Sequence, residues 1–84
     1  MDPALPFWFK QRQCKLEKAG ERTYRAAGPN LGEAFLHVEP AGDGWRASLR
    51  LAPDGEAVSS SEPAPTEDRA WQAAFELFRV RVIV

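Results

Sequence analysis

Turn signals recur at short intervals along this chain, and they constrain its fold more than any other feature of the sequence. Five clusters that contain Gly or Pro divide the first 65 residues into short segments: 19–21, 28–30, 40–44, 53–55 and 63–65. Apolar and polar residues alternate between several of these clusters, as they do in antiparallel strands joined by hairpins. The spacing therefore predicts a meander of four to five antiparallel strands.

The segment WRASLRL, residues 45–51, has the clearest strand pattern. Its residues fall alternately on two faces: Trp45, Ala47, Leu49 and Leu51 on one, Arg46, Ser48 and Arg50 on the other. The first face should join the core, and the second should be wet or used for binding. Because Pro53-Asp54-Gly55 is a favourable turn sequence, we expect residues 56–60 to return alongside as a hairpin.

A further strand is predicted upstream of that hairpin, over residues 34–39. Leu36 and Val38 would point inward with Phe35 and His37 outward, or the reverse. A shift of one residue in register exchanges the two faces of a strand, so the sequence leaves both arrangements open.

The N-terminal region predicts a longer hairpin, in which FWFKQRQCKLEK pairs with RTYRAA around a turn at Ala19-Gly20. The phase of the side chains changes between Phe9 and Cys14, which indicates a bulge or an early start of the strand. Aromatic residues are interleaved here with basic ones: Lys10, Arg12, Lys15 and Lys18. Such a strand would suit stacking and phosphate contacts with a single-stranded nucleic acid. The sequence favours the other interpretation, an edge strand whose aromatics enter the core and whose lysines oppose aggregation, because the chain as a whole is slightly acidic and has no RNP-like pattern.

Residues 66–79 predict an amphipathic helix. Thr66 is a suitable N-cap, and the charges of Glu67, Asp68 and Arg79 match the helix dipole. Apolar residues at positions i, i+3, i+4 and i+7 form one stripe: Trp71, Ala74, Phe75 and Phe78. Because this stripe has to cover the apolar face of the sheet, we expect an α+β fold with the C-terminal helix packed on one face, as a single small domain over residues 1–84.

The chain ends on RVRVIV, which fits two kinds of structure. Val80, Val82 and Val84 alternate with Arg81 and Ile83 as in a strand, although Val82 also continues the helical stripe. β-Branched residues lose side-chain freedom in a helix, so the sequence favours a short final strand. We expect that strand to pair with its own sheet or with a neighbouring chain.

Composition and charge exclude several classes of protein. A chain of 84 residues with 44% hydrophobic and 27% charged residues has room for one small core and is not of disordered type. The net charge is −1 but uneven, because residues 1–28 carry six basic and three acidic side chains while residues 29–68 carry two basic and eight acidic ones. The N-terminal sequence lacks a signal-peptide pattern and no apolar run is long enough to span a membrane, which predicts a cytoplasmic protein.

Residues able to support catalysis or metal binding are few and scattered. Cys14 and His37 are single and lie on separate predicted strands, so they do not indicate an activated nucleophile. The serines at 59–61 lack the surroundings of a hydrolase nucleophile, and we interpret them as turn formers. No segment resembles a metal-binding or phosphate-binding loop, so the sequence predicts no enzyme, no cofactor and no small-molecule substrate.

The run WRASLRLAPDGEAV followed by TEDRAWQAAFELF resembles the strand, turn, strand, helix layout of the arm-type DNA-binding modules of tyrosine integrases and of small HicB-like antitoxin domains. The chain departs from both patterns. Its approach to the helix reads EAVSSSEPAPTED, where arm-type modules are usually basic, and the glycine-cysteine segment typical of HicB-like chains is missing. The sequence therefore assigns the chain to neither family.

These observations predict a non-catalytic binding module. The favoured partner is another protein or a second copy of the chain, because an apolar strand at the chain end suits addition to a sheet edge. The alternative is a nucleic-acid-binding domain that uses a basic and aromatic sheet face. The predicted interaction residues are Trp8, Lys10, Arg12, Arg46 and Arg50 for that face, and Val80, Val82 and Val84 for the edge.

Overall fold

The computed structural model describes residues 4–29, 32–52 and 54–82, which form five strands and two helices. The strands are antiparallel and lie in the sheet in their chain order, β1-β2-β3-β4-β5. The predicted meander with a C-terminal helix is therefore confirmed. The elements are α1 (Phe7–Gln11), β1 (Lys15–Gly20), β2 (Thr23–Ala27), β3 (Ala34–Ala41), β4 (Gly44–Arg50), β5 (Ala57–Ser60) and α2 (Glu67–Val82).

The inner face of the sheet is set by the pairing of β3 with β4. Leu36 lies opposite Leu49 and Val38 lies opposite Ala47, and all four side chains are fully buried. This register resolves the choice that the sequence left open, because β3 directs Leu36 and Val38 inward. One predicted core residue is wrong: Leu51 follows the end of β4 and is 48% exposed, since the strand stops before the alternation can bring it to the core.

Helix α2 covers this inner face with the predicted stripe. Trp71, Ala74, Phe75 and Phe78 are all buried. The helix begins as expected, because the Thr66 hydroxyl accepts a hydrogen bond from the Arg69 amide at 3.2 Å. The predicted cap and apolar stripe of α2 are therefore both found in the structure.

The predicted N-terminal hairpin is confirmed over β1 and β2, which pair antiparallel, but residues 7–11 form a short helix and not the start of its first strand. Phe9, at its centre, is fully buried, with its ring 5.3 Å from Phe75 and 6.0 Å from Phe78. The helix ends in a Schellman motif, in which Gln13 adopts a φ of 59° and the Cys14 amide donates to the Phe9 carbonyl. The prediction failed because one aromatic docked against α2 gains more by packing than alternation along an edge strand would supply.

The C-terminal segment is also helical where a strand was favoured. Helix α2 continues through Val82, while Val84 lies outside the described residues. Residues 80–82 extend a helix that is already nucleated, capped and packed, and adding residues to such a helix is easier than starting a separate strand. That gain outweighs the small helix penalty of β-branched residues.

The segment that follows β5 is hydrogen-bonded to β4 and holds β5 in the sheet. The Ser61 amide donates to the Ala47 carbonyl, and Trp45 and Ala64 exchange two backbone hydrogen bonds of 2.8 and 2.6 Å. Gly44 makes this contact possible, because a Cβ atom there would overlap the Ala64 carbonyl oxygen. Residues 57–64 are thereby held along β4, and β5 becomes the outer strand of the sheet.

Candidate interaction edge

Strand β5 is the outermost strand on one side of the sheet, and no strand of the described chain lies beyond it. Its sequence, AVSS, carries no charge, and Val58 is 44% exposed. Every second residue of an edge strand directs its N–H and C=O groups away from the sheet, where they are free to pair with another strand. The β5 edge is therefore short, neutral and partly apolar.

An open groove of about 590 Å³ lies between β5 and the C-terminal half of α2. Ser59 faces this groove because it pairs with Leu49, an inner-face residue of β4. Leu77 and Val80 form its apolar wall, since residues three apart lie on the same side of a helix. Leu77 is half-buried, while Val80 is 58% exposed. We call β5 together with this groove the β5 edge groove.

Two charged residues of α2, Glu76 and Arg81, complete the lining of the groove. Arg79 donates to Glu76 Oε2 from Nη2 at 2.9 Å and from Nε at 3.1 Å. These hydrogen bonds, together with the charge of Glu76, raise the pKa of the Arg79 guanidinium. Within the part of the chain that the structure describes, Glu76 Oε1 has no hydrogen-bond partner and Arg81 has no ion pair. The groove thus offers one acidic and one basic group.

The opposite edge, β1, has a different surface. It presents Lys15, Glu17 and Lys18, all exposed, and Glu17 lies 3.5 Å from the Arg25 guanidinium of the neighbouring strand. A depression of about 400 Å³ beside it is lined mainly by polar and charged residues. Charged side chains along an edge discourage the addition of another strand.

The predicted nucleic-acid face is divided between the two sides of the sheet. Trp8, Lys10 and Arg12 belong to α1 and its end, and the Trp8 ring stacks on Phe78 of α2 at 6.3 Å. Arg46 and Arg50 alternate with the buried Ala47 and Leu49, so they point to the outer face of β4. The structure therefore does not bring these five residues together.

Within the described residues, the outer-face arginines of β4 form no ion pair across the sheet. Arg46 lies opposite Glu39 in the register, but the Glu39 carboxylate is instead 3.8 Å from His37 Nε2. Arg50 lies opposite Phe35, and its Nε atom is buried without a hydrogen-bond partner. This face is a mixture of charges around the buried ring of Phe35.

Of the valines predicted for interaction, Val80 alone can be placed in the groove. Val82 belongs to α2 and its side chain is not described, while Val84 lies outside the described residues. Sequence reasoning missed Ser59, Glu76 and Leu77. The sequence did contain one indication of this groove. Leu77 is an apolar residue next to Phe78 of the buried stripe, and it widens the apolar face of α2 toward Val80.

Residues with catalytic potential lie apart and have structural surroundings. Cys14 packs against the core, and burial raises the pKa of its thiol in spite of the opposing charge of Arg12. His37 lies on the outer face of the sheet, with Nδ1 2.8 Å from the Thr23 hydroxyl. The Ser61 hydroxyl accepts from the Ala47 amide and donates to the Glu62 carbonyl, which fastens the chain after β5.

The described residues contain no cluster of three or more His, Cys, Asp or Glu side chains arranged to hold a metal ion. None of the helices in residues 4–29, 32–52 and 54–82 has the length and apolar character needed to cross a membrane. The chain matches no protein-family model, no curated protein and no solved structure.

Proposed function

We propose that this protein is a non-catalytic protein-binding module that accepts an extended segment along β5. The observation that carries the proposal is the β5 edge groove, where the free side of a neutral strand adjoins an apolar wall of Leu77 and Val80. Main-chain hydrogen bonds to β5 would supply affinity, and contacts with the groove would supply specificity.

The geometry of the groove specifies how such a segment would lie. A strand added beside β5 continues the sheet, so its residue opposite Ser59 points toward α2. An apolar side chain at that position would cover Leu77 and Val80. The alternate side chains would face the outer side of the sheet, where small or polar residues fit. The preferred ligand is therefore a short extended peptide with apolar residues at every second position.

The alternative function, binding of a single-stranded nucleic acid, has less support. It requires aromatic and basic residues on one face, whereas Trp8, Lys10 and Arg12 lie on the α2 side and Arg46 and Arg50 on the outer side. Phe35, the aromatic beside Arg50, is buried and offers no free ring for stacking.

The proposal can be tested by selecting peptides from a random displayed library against the wild-type chain. Selected peptides should alternate apolar and polar residues and should shift the NMR amide signals of residues 58–60. Val80→Glu should abolish their binding, because a carboxylate would be placed in the apolar wall. Phe7→Glu is the matched control, because Phe7 is a 79% exposed apolar residue on α1, outside the groove.

Circular dichroism and thermal unfolding should show that both variants are folded. Peptides that bind Val80→Glu as well as the wild type, or that shift amides of β1 instead of β5, would contradict the proposal. Single-stranded DNA that quenches tryptophan fluorescence at low salt, in a chain for which no strand peptide is found, would favour the alternative.

A further inference from the structure

We infer that a second copy of this chain occupies the β5 edge groove, forming a two-fold dimer in which β5 pairs antiparallel with its counterpart. This inference rests on the proposed function, since it names the partner of the same edge. It follows from the order of four groove residues along α2. When a second copy of the helix is related to the first by a two-fold rotation, acidic residues face basic ones and apolar residues face apolar ones.

The groove residues of α2 form two nested pairs with a common centre. Glu76 and Arg81 are the outer pair, Leu77 and Val80 are the inner pair, and both are centred between residues 78 and 79. A two-fold axis that is perpendicular to the sheet and level with this centre would make the two α2 helices antiparallel. Glu76 of one copy then faces Arg81 of the other, and Leu77 faces Val80, twice over.

Strand β5 obeys the same symmetry. Ser59 lines the groove together with Leu77 and Val80, so an axis through the groove passes close to the middle of β5. Two antiparallel copies of AVSS meet without placing charges opposite each other, and because their inward side chains are small, the apolar surface in the groove comes from Leu77 and Val80 of the two helices. A net charge of −1 adds little repulsion between whole copies.

The distance across the dimer suits long side chains. α2 packs against β4 and, less extensively, against β3, and three strand spacings of about 4.8 Å would separate the two β4 strands by about 14 Å, so the two helix axes would lie at least that far apart. A helix with its side chains is about 10 Å across, so the two α2 helices would touch through extended side chains. Glu76 Oε1 is open for such a contact, because both hydrogen bonds from Arg79 use Oε2.

A charge-exchange experiment by sedimentation equilibrium tests this arrangement. Wild type should dimerise at micromolar concentrations, and E76R or R81E alone should weaken dimerisation about tenfold or more, since each change creates two like-charge contacts. An equimolar mixture of E76R and R81E should regain affinity close to that of wild type, because every contact in the mixed dimer is again between opposite charges. The double variant E76R/R81E should also regain it.

Arg79→Gln is the matched control, because it removes the intrachain pair with Glu76 and leaves the proposed contacts between copies unchanged. A wild-type chain that stays monomeric at high micromolar concentration, or a mixture that regains nothing, would overturn the dimer. Peptides that still bind β5 in such a monomer would leave the proposed function standing. Loss of both dimer and peptide binding would overturn both.

Discussion

The two outer strands of the sheet differ in the properties that decide whether an edge pairs with another strand. β1 has six residues, and Lys15, Glu17 and Lys18 lie along it. β5 has four residues, none of them charged, and it adjoins the apolar wall that Leu77 and Val80 of α2 form in the groove. Among the described residues, the same sheet thus has one edge protected by charge and one edge protected by its short length and a nearby bulge in register.

The difference shows that the surface beside β5 is formed by the helix and the sheet together. The surface of β1 depends mainly on side chains of its own strand. The groove beside β5 exists only while α2 lies on the sheet, because Leu77 and Val80 belong to the helix. A change that releases α2 should therefore remove the groove while leaving the charges of β1 in place.

The largest expected effect comes from Phe75→Ala, which removes the ring that α2 packs against Phe9. We expect a loss of about 3 to 5 kcal/mol in the free energy of unfolding, because the ring is fully buried. Urea denaturation measures the loss. Leu51→Ala is the control, since Leu51 is exposed and its truncation should cost less than about 0.5 kcal/mol. Equal losses for the two variants would contradict the assigned core.

A pair of glycines compares the two sides of the sheet directly. Gly44→Ala should cost about 1 to 3 kcal/mol, because the new methyl group would overlap the Ala64 carbonyl and push the segment after β5 away from β4. Gly20→Ala, at the end of β1, meets only an ordinary contact with Thr23. Thermal unfolding should show a clearly lower melting temperature for Gly44→Ala than for Gly20→Ala. Similar melting temperatures would mean that the segment 61–64 does not pair with Trp45.

A smaller effect is expected at the two non-glycine residues with positive φ that flank β1, Gln13 and Arg22. Gln13→Gly should raise the free energy of unfolding by about 0.5 to 1 kcal/mol, because glycine adopts this conformation without steric cost. Arg22→Gly relieves the same strain but removes a guanidinium 5.1 Å from the Trp45 ring centre, so its net effect should be near zero. Calorimetry measures the free energy of unfolding of the two variants. A greater increase for Arg22→Gly than for Gln13→Gly would contradict this prediction.

The smallest effect on stability, with the most direct bearing on the two edges, is expected for the double variant Lys15→Thr/Lys18→Thr. Both lysines are exposed, so the free energy of unfolding should change by less than about 0.5 kcal/mol. Removing their charges should nevertheless make β1 able to pair, and light scattering should show larger, open-ended assemblies. A variant that remains as small as the wild type would show that charge does not protect β1.

Sequence patterns predicted the parts of the fold that depend on near neighbours. The β4–β5 hairpin follows from alternation and a strong turn, and α2 follows from Thr66 and its apolar stripe. The strand prediction was wrong for residues 7–11 because Phe9 becomes buried through contacts with α2, some 66 residues further along the chain. Alternation within a short aromatic segment contains no record of that contact.

The candidate site was predicted only in part for the same reason. Val80 was identified from the apolar chain end, but as part of a strand and without its neighbours in the groove. Ser59 and Leu77 belong to different elements, and each is unremarkable in its own segment. They become one surface only when α2 crosses the sheet beside β5.

The sequence by itself determined the antiparallel meander, the start and apolar face of α2, and the charges along the β1 edge, because each depends on residues a few positions apart. Only the tertiary structure decided that residues 7–11 and 80–82 are helical, that the N-terminal and outer-face basic residues are separated, and that a groove lies beside β5. The physical reason is that packing between distant elements outweighs the small local preferences of the backbone, which amount to about 1 kcal/mol or less per residue.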